Sequence, residues 1–259
     1  MQRCPQEFVQ FANHLADIGG DIHRRYYRKP IAVEIKGDGS PVTQVDKETE
    51  YALRGLIEQT YPDHGVMGEE YPSVRGDAEF VWVLDPVDGT KSYLAGVPLF
   101  GILIALAHGG RFVLGVVEQP ILRDRWVGAD GHGTTWNKAA VHTRPCATLS
   151  EAVLCAAGPD NRTEVYDHQV VSLRRGVKWV RYGVECYSYG LVASGLVDLL
   201  VDAELDNHDF GALDPIVRNA GGIVVDWRGK PLTMQSDGTV IAAGDPELID
   251  QVLSRVRPD

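Results

Sequence analysis

The segment Phe80-Val81-Trp82-Val83-Leu84-Asp85-Pro86-Val87-Asp88-Gly89-Thr90 narrows most sharply what this chain can become. Its opening apolar run, Phe80 to Leu84, reads as a short buried strand. The run meets two carboxylates, Asp85 and Asp88, set around Pro86 and just before Gly89. Proline fixes one φ angle and glycine supplies a flexible turn position, so both carboxylates can converge on one point. The sequence predicts that the strand stops at Asp85-Pro86 and that a helix starts after Asp88. Converging carboxylates repel unless a proton or a cation bridges them. A hard divalent ion such as Mg²⁺ is the natural occupant, bound by few carboxylates together with water and a substrate phosphate. Thr90 adds a hydroxyl able to orient a water, and the free N–H groups after Asp88 suit a phosphate oxygen.

Two further acidic clusters are placed where strands are expected to end and loops begin. Gly68-Glu69-Glu70 lies upstream, and Asp209 opens an expected helix within Asn207-His208-Asp209-Phe210-Gly211-Ala212-Leu213. Glu69 alone would read as a surface glutamate; its company changes that reading. The formal charge of −11 argues against nucleic acid and anionic membranes as partners. It argues equally against small phosphorylated substrates, unless the acidic residues are there to hold cations.

With 259 residues, 44% hydrophobic and 24% charged, the chain can bury a large core without disulfide or metal staples. Cys4, Cys146, Cys155 and Cys186 show no metal-binding spacing and read as free thiols of a reducing compartment. The first twenty residues lack a signal-peptide core, and Leu99–Ala107, broken by Gly101, is too short to span a membrane. The expectation is a soluble cytoplasmic protein.

Phe8, Phe11, Ala12, Leu15, Ile18 and Ile22 recur at helical spacing, and a second helix is expected over Val45–Thr60 with Thr43 as its cap. Between them, residues 35–43 read as a hairpin or mobile loop. Strands are expected at Gly101–Ala107, Arg111–Glu118 and Arg125–Gly128, forming an antiparallel meander with Phe80–Leu84. Beyond Ala147 the order alternates. Strands at Ala152–Ala157, Lys178–Arg181, Asp198–Asp202, Ile223–Asp226 and Val240–Ala243 are interleaved with helices at Glu164–Arg174, Cys186–Ser194, Phe210–Asn219 and Pro246–Val256. This predicts an α+β half over residues 1–147 and an α/β half over 148–259 that contributes Asp209 and the substrate pocket.

Other chemistries lack support. Gly109-Gly110 and Gly221-Gly222 belong to no phosphate-cradling loop, and Ser188, Ser194, His23 and His142 lack the setting of a nucleophile elbow. Asp124, Arg125 and Trp126 read as strand-surface residues, and His208 as a polar contact at a helix start.

Taken together, Gly68-Glu69-Glu70, Trp82–Thr90, and Asp209 followed by Ala220-Gly221-Gly222 resemble the inositol-monophosphatase superfamily of Mg²⁺-dependent, often lithium-sensitive phosphomonoesterases. Within it the chain is most similar to the histidinol-phosphate phosphatase branch. Asp88–Tyr93, Gly96–Leu106, Gly115–Pro120, Arg125-Trp126, Glu185–Gly190 and Ala212–Gly222 carry that likeness. The resemblance implies a layered α-β-α-β-α sandwich, a homodimer, and hydrolysis of L-histidinol phosphate. It implies that Glu69, Asp85 and the Val87 carbonyl hold one ion and that Asp85, Asp88 and Asp209 hold a second, with a third, weaker ion near Glu69. Thr90, supported by Asp46 and Glu69, would position and deprotonate the attacking water, and Lys36 matches a loop lysine of the superfamily. Asp88, Gly89, Thr90, Glu185, Asp202 and Asp209 would contact the substrate. Two departures stand out: Glu185 where that branch has aspartate, and Asp202 where glutamate is expected. The alternatives are an inositol-1-phosphate or broad sugar-phosphate phosphatase and, from another class, a catalytically silent metal-binding scaffold.

Overall fold

Strand alternation in the middle of the chain sends every second side chain to the opposite face of a sheet, and helices on both faces must cover them. The computed structural model describes residues 3–37, 39–157 and 164–256. Helices α1 (Gln6–Tyr26) and α2 (Gln44–Thr60) come first. Thr43 caps α2 as expected: its hydroxyl accepts the Val45 N–H, while Asp46 accepts the Thr43 N–H at 2.9 Å. Between the helices, β1 (Val33–Ile35) and β2 (Pro41–Thr43) form the expected hairpin, in which Asp38 lies outside the described residues.

A seven-stranded sheet follows in sequence order: β3 (Gly65–Gly68), β4 (Phe80–Asp88), β5 (Gly101–His108), β6 (Arg111–Gln119), β7 (Asp124–Ala129), β8 (Gly133–Trp136) and β9 (Ala139–Val141). Only the β3–β4 pair within it is parallel. Helix α3 (Thr90–Ala95) leaves the end of β4. The second sheet holds β10 (Val153–Ala156), β11 (Trp179–Tyr182), β12 (Leu199–Asp202), β13 (Ile223–Val225) and β14 (Val240–Ala243), in the order β11-β10-β12-β14-β13. Its helices are α4 (Glu164–Arg174), α5 (Tyr187–Ala193), α6 (Asn207–Phe210), α7 (Leu213–Arg218) and α8 (Ile249–Val256).

Among the described residues, three of the four hydrophobic clusters stack between these elements. Trp82, Leu84, Ile102, Ile104 and Leu106 face Phe8, Leu15, Leu53 and Ile57 of α1 and α2. The alternate residues Val81, Val83, Leu103 and Ala105 face α5 and α7, which also cover Cys155, Leu200 and Val224 of the second sheet. Leu154, Leu199, Val201 and Ile241 on that sheet's outer side meet Tyr166, Leu173, Val252 and Leu253 of α4 and α8. The result is an α-β-α-β-α sandwich.

The middle layer depends on a close approach. Gly115 of β6 and Gly128 of β7 are register partners, and α7 with the residues before it lies directly on them. A Cβ on Gly115 would penetrate the Ala212 carbonyl oxygen, and one on Gly128 would overlap the backbone of Pro215 and Ile216. Arg218 fastens the far end of α7, donating to Asp130 at 2.7 Å and to the Phe112 carbonyl at 2.9 Å.

Three expectations need correction. The strand does not stop at Asp85-Pro86 but continues to Asp88, because β5 keeps pairing with it across a slip in register. Proline is tolerated at such a slip, where no ladder N–H is required. The expected helix Phe210–Asn219 is two short ones, with Pro215 in the first turn of α7, where its missing N–H costs nothing. Trp126 is fully buried, stacked on Trp136 at 5.4 Å and donating to Ser194 Oγ at 2.9 Å. All four cysteines are buried free thiols. Among the described residues no helix is long and apolar enough to cross a membrane.

Gly115→Ala is expected to destabilise the protein by about 1–3 kcal/mol through overpacking. Thermal denaturation should then show a melting temperature roughly 3–10 °C lower. Gly55, whose added Cβ would meet nothing within 4 Å in α2, provides the contrast, and Gly55→Ala should leave the transition in place or raise it.

Candidate active site

The slip in β4 sets the geometry. Asp85 faces Leu103 and Asp88 faces Gly101, so three steps along β4 match two along β5. Such a bulge breaks the strict alternation that would otherwise send residues three apart to opposite faces. Local bonds hold the bulge open: the Val87 N–H donates to Asp85 Oδ1 at 2.9 Å, and the Thr90 hydroxyl lies 3.0 Å from the Val87 carbonyl. Gly89 turns the chain with φ of 81° and starts α3. From the other end of the sequence, the Cys186 N–H donates to Asp88 Oδ2 at 2.8 Å. Asp209 sits in the first turn of α6, where one of its oxygens accepts the Asp206 N–H at 2.6 Å. One carboxylate oxygen each from Asp85, Asp88 and Asp209 lies within 4.8 Å of the other two.

Glu69, just beyond β3, stands outside that group of three. Its carboxylate accepts from Lys36 Nζ at 2.6 Å, and Glu70 accepts from the same ammonium at 2.7 Å. Burial works against the Lys36 charge, but these two hydrogen bonds outweigh it and hold the ammonium proton more tightly than usual. The Glu69-Glu70 segment is held in turn by Glu50, which is fully buried and accepts the Glu70 N–H at 2.7 Å and Arg54 Nε at 2.7 Å. Sequence reading missed Glu50. Its one signal was an i,i+4 pair with Arg54 on α2, which looks like any helix-surface pair.

Thr90 Oγ1 is 3.3 Å from Asp46 Oδ1, whose other oxygen accepts from both the N–H and the hydroxyl of Thr43. The cap of α2 therefore also orients a side chain at the site. Burial pushes Asp46 above the ordinary aspartate range despite these hydrogen bonds.

Beside Asp88 and Asp209 opens a cavity of about 180 Å³, which Glu185 and Asp202 also line. Its walls include Tyr189, Leu200, Leu205 and Leu213. Glu185 adopts a left-handed backbone with φ of 50°, and its Oε1 accepts from Ser92 Oγ at 2.8 Å. Its side chain covers Gly89 so closely that a Cβ there would lie 3.0 Å from Glu185 Cγ. Asp202 ends β12. His208 Nε2 lies 3.7 Å from Asp209 Oδ1, as a helix-start contact. Ser188 Oγ donates to the Glu185 carbonyl at 2.6 Å, a local turn bond rather than a nucleophile–base pair.

The carboxylates raise one another. Asp85 is held well above the usual range, first by burial and then by Glu69, Asp88 and Asp209. Asp88 rises to about 7, first through burial and then through Glu185, against the lowering effect of the Cys186 N–H. Burial is also the main cause for Asp209, offset by His208 and the Asp206 N–H. Buried carboxylate oxygens that repel one another are hard ligands awaiting a small divalent cation, and the donor set fits Mg²⁺.

The profile of the inositol monophosphatase family matches residues 5–258. The chain belongs to the inositol monophosphatase family. It is 40% identical over 255 residues to the chloroplastic bifunctional phosphatase IMPL2 of Arabidopsis thaliana, covering 95% of this chain and 74% of that one. It is 34% identical to a histidinol-phosphatase of Chlorobaculum parvum, over 90% of this chain and 91% of the relative. Among solved structures, an inositol monophosphatase from Zymomonas mobilis superposes with a TM-score of 0.90 at 41% identity, over 98% of this chain and 99% of the other. Inositol monophosphatases are Mg²⁺-dependent phosphatases, and the carboxylate group on β4 and α6 offers the ligands that chemistry needs.

A cation that binds only the folded site stabilises it by mass action, about 2.7 kcal/mol at a hundredfold excess over its dissociation constant. Saturating Mg²⁺ should therefore raise the melting temperature by roughly 5–10 °C, and a chelator should reverse the gain. Asp85→Asn is expected to abolish that response while melting no lower than the metal-free parent.

Proposed function

We propose that this protein is a Mg²⁺-dependent phosphomonoesterase that hydrolyses L-histidinol phosphate to L-histidinol and phosphate. The observation that carries the substrate is the shared cavity: Glu185 and Asp202 line the space beside Asp88 and Asp209 without belonging to the group of three. Histidinol carries an amine and an imidazole. Two carboxylates beyond the cation ligands favour a positively charged leaving group over a neutral polyol. Leu200, Leu205 and Tyr189 give the ring an apolar wall.

In this reading Glu69, Asp85 and the Val87 carbonyl hold one ion, and Asp85, Asp88 and Asp209 a second, with a third, weaker site near Glu69. Bound Mg²⁺ supplies polarisation of the phosphate, charge neutralisation and a more acidic water. The protein's own part is positional. Thr90 Oγ1 takes a proton from the attacking water as its own passes to Asp46, whose buried carboxylate is poised to accept it. N–H groups at the start of α3 orient the phosphate beside Gly89, and Glu185 and Asp202 hold the leaving group. The same reading carries inhibition by Li⁺ and a homodimer. A second reading, a phosphatase of inositol 1-phosphate or of several sugar phosphates, is favoured by the 41% identity to the Zymomonas mobilis enzyme.

Phosphate release from histidinol phosphate, inositol 1-phosphate and sugar phosphates, with and without Mg²⁺, separates these readings. Glu185→Gln should raise KM for histidinol phosphate about tenfold, equivalent to roughly 1.4 kcal/mol, and change KM for inositol phosphate far less. Equal effects on both would remove the charge argument. Asp88→Ala is expected to abolish turnover with the circular dichroism spectrum unchanged, and near-normal Mg²⁺-dependent activity would sink the assignment of the site.

A further inference from the structure

The β4 bulge leaves one peptide group in need of an explanation. Pro86 and Val87 have no register partner on β5. The Pro86 carbonyl instead meets Nε2 of His23 at 2.9 Å, a residue of the last turn of α1, far away in sequence. His23 is fully buried, its ring packed against Tyr93 at 5.6 Å and Phe100 at 5.7 Å between centroids. Its own carbonyl accepts the Tyr93 hydroxyl at 3.1 Å. Tyr93 belongs to α3, so His23 touches both the Asp85–Asp88 turn and the helix that follows it.

The facing atom is a carbonyl, so Nε2 carries the ring proton and Nδ1 is left a bare acceptor. Nδ1 is buried with no hydrogen-bond partner. Leaving a buried polar atom unsatisfied is costly, and an apolar side chain packed on Tyr93 and Phe100 would remove that cost only by stripping the Pro86 carbonyl of its donor. A histidine there needs a compensating role, and the single bond it makes is to the turn.

The effect of that bond follows from peptide planarity. The Pro86 carbonyl and the Val87 N–H belong to one rigid unit and point in opposite directions. His23 grips the carbonyl end, and Asp85 Oδ1 accepts from the N–H end at 2.9 Å. Fixing the carbonyl therefore fixes the direction of the N–H, and with it the carboxylate that the N–H holds.

We propose that His23 is a positioning residue for the cation site, orienting Asp85 through the Pro86–Val87 peptide. The inference rests on the reading of Asp85, Asp88 and Asp209 as cation ligands. Partners that orient ligands in this way typically govern tenfold or more of metal affinity.

The test is calorimetric titration of the full chain with Mg²⁺, and with Mn²⁺ as a second probe, alongside thermal melting of the metal-free protein. His23→Leu should weaken divalent-ion affinity about tenfold or more, while the metal-free protein still melts cooperatively within roughly 10 °C of the parent, the cost of one lost buried hydrogen bond. His23→Gln, whose amide can still donate to Pro86, should retain affinity within about threefold, and His23→Asn, too short to reach, should not. Undiminished affinity in His23→Leu, or a loss that Gln does not rescue, would overturn the inference. Should His23→Leu fail to fold, the Gln and Asn pair decides alone, and equal affinities for the two overturn it. A parent protein that takes up neither ion would remove the cation reading itself and this inference with it; a parent that binds beside an unaffected His23→Leu removes only the role of His23.

Discussion

Carboxylates gathered at a buried point repel one another, and much of the surrounding scaffold can be understood as resistance to that repulsion. Asp85 and Asp88 cannot swing apart, because both pair with β5, the Val87 N–H holds one carboxylate and the Cys186 N–H holds the other. Asp209 cannot retreat, because α6 leads directly into α7, whose backbone rests on Gly115 and Gly128. Arg218 then ties α7 to Asp130, itself only 2% exposed, and to Asp214 on the same helix. Buried ion pairs of this kind often contribute little net stability. Here they join two elements at a defined distance. The excess of eleven negative charges over the whole chain therefore says little about the site. What matters is that a few of them are held too close to be left without a cation.

The parts of this arrangement that were legible in sequence are those written locally. The cap at Thr43, the apolar strand at Gly101–Ala107, the apolar run before Asp85 and the acidic turn itself each depend on residues a few positions apart. The bulge was not legible. Proline reads as a terminator, and only the continued pairing of β5 reveals that the strand passes through it. Trp126 and Arg125 looked like surface residues of a meander. The indole is enclosed by α5 and Trp136, and Arg125 instead bonds Glu118 at 2.5 Å and Asp17 of α1 at 2.7 Å.

The same limit applies at the site. Asp85, Asp88 and Asp209 were named from their motifs, and the fold brings them together. Glu69 was named with them, yet its carboxylate is engaged with Lys36. Glu50 and His23 carry no motif, and Ser92, although it lies within the Asp88–Tyr93 segment, was given no role there. Each acts through a contact made only when distant segments meet: Glu50 with the Glu70 N–H, Ser92 with Glu185, and His23 with Pro86. A glutamate at position 185 could be read as a departure in side-chain length. That the added reach ends on a serine of α3 could not.

The acids come from opposite sides of the connection between β9 and β10, and this has a consequence for how the protein is made. Asp85 and Asp88 belong to the first sheet, whereas Asp209 and the Cys186 N–H arrive with the second. Contacts so distant in sequence form late, after the loop-closure cost of joining the two regions has been met. A growing chain that has completed only the larger sheet holds the two aspartates of β4 but not the group of three. Until α7 settles on its glycine seat, the chain lacks a ligand set worth occupying, and uptake of a cation would mark the moment at which both sheets have closed.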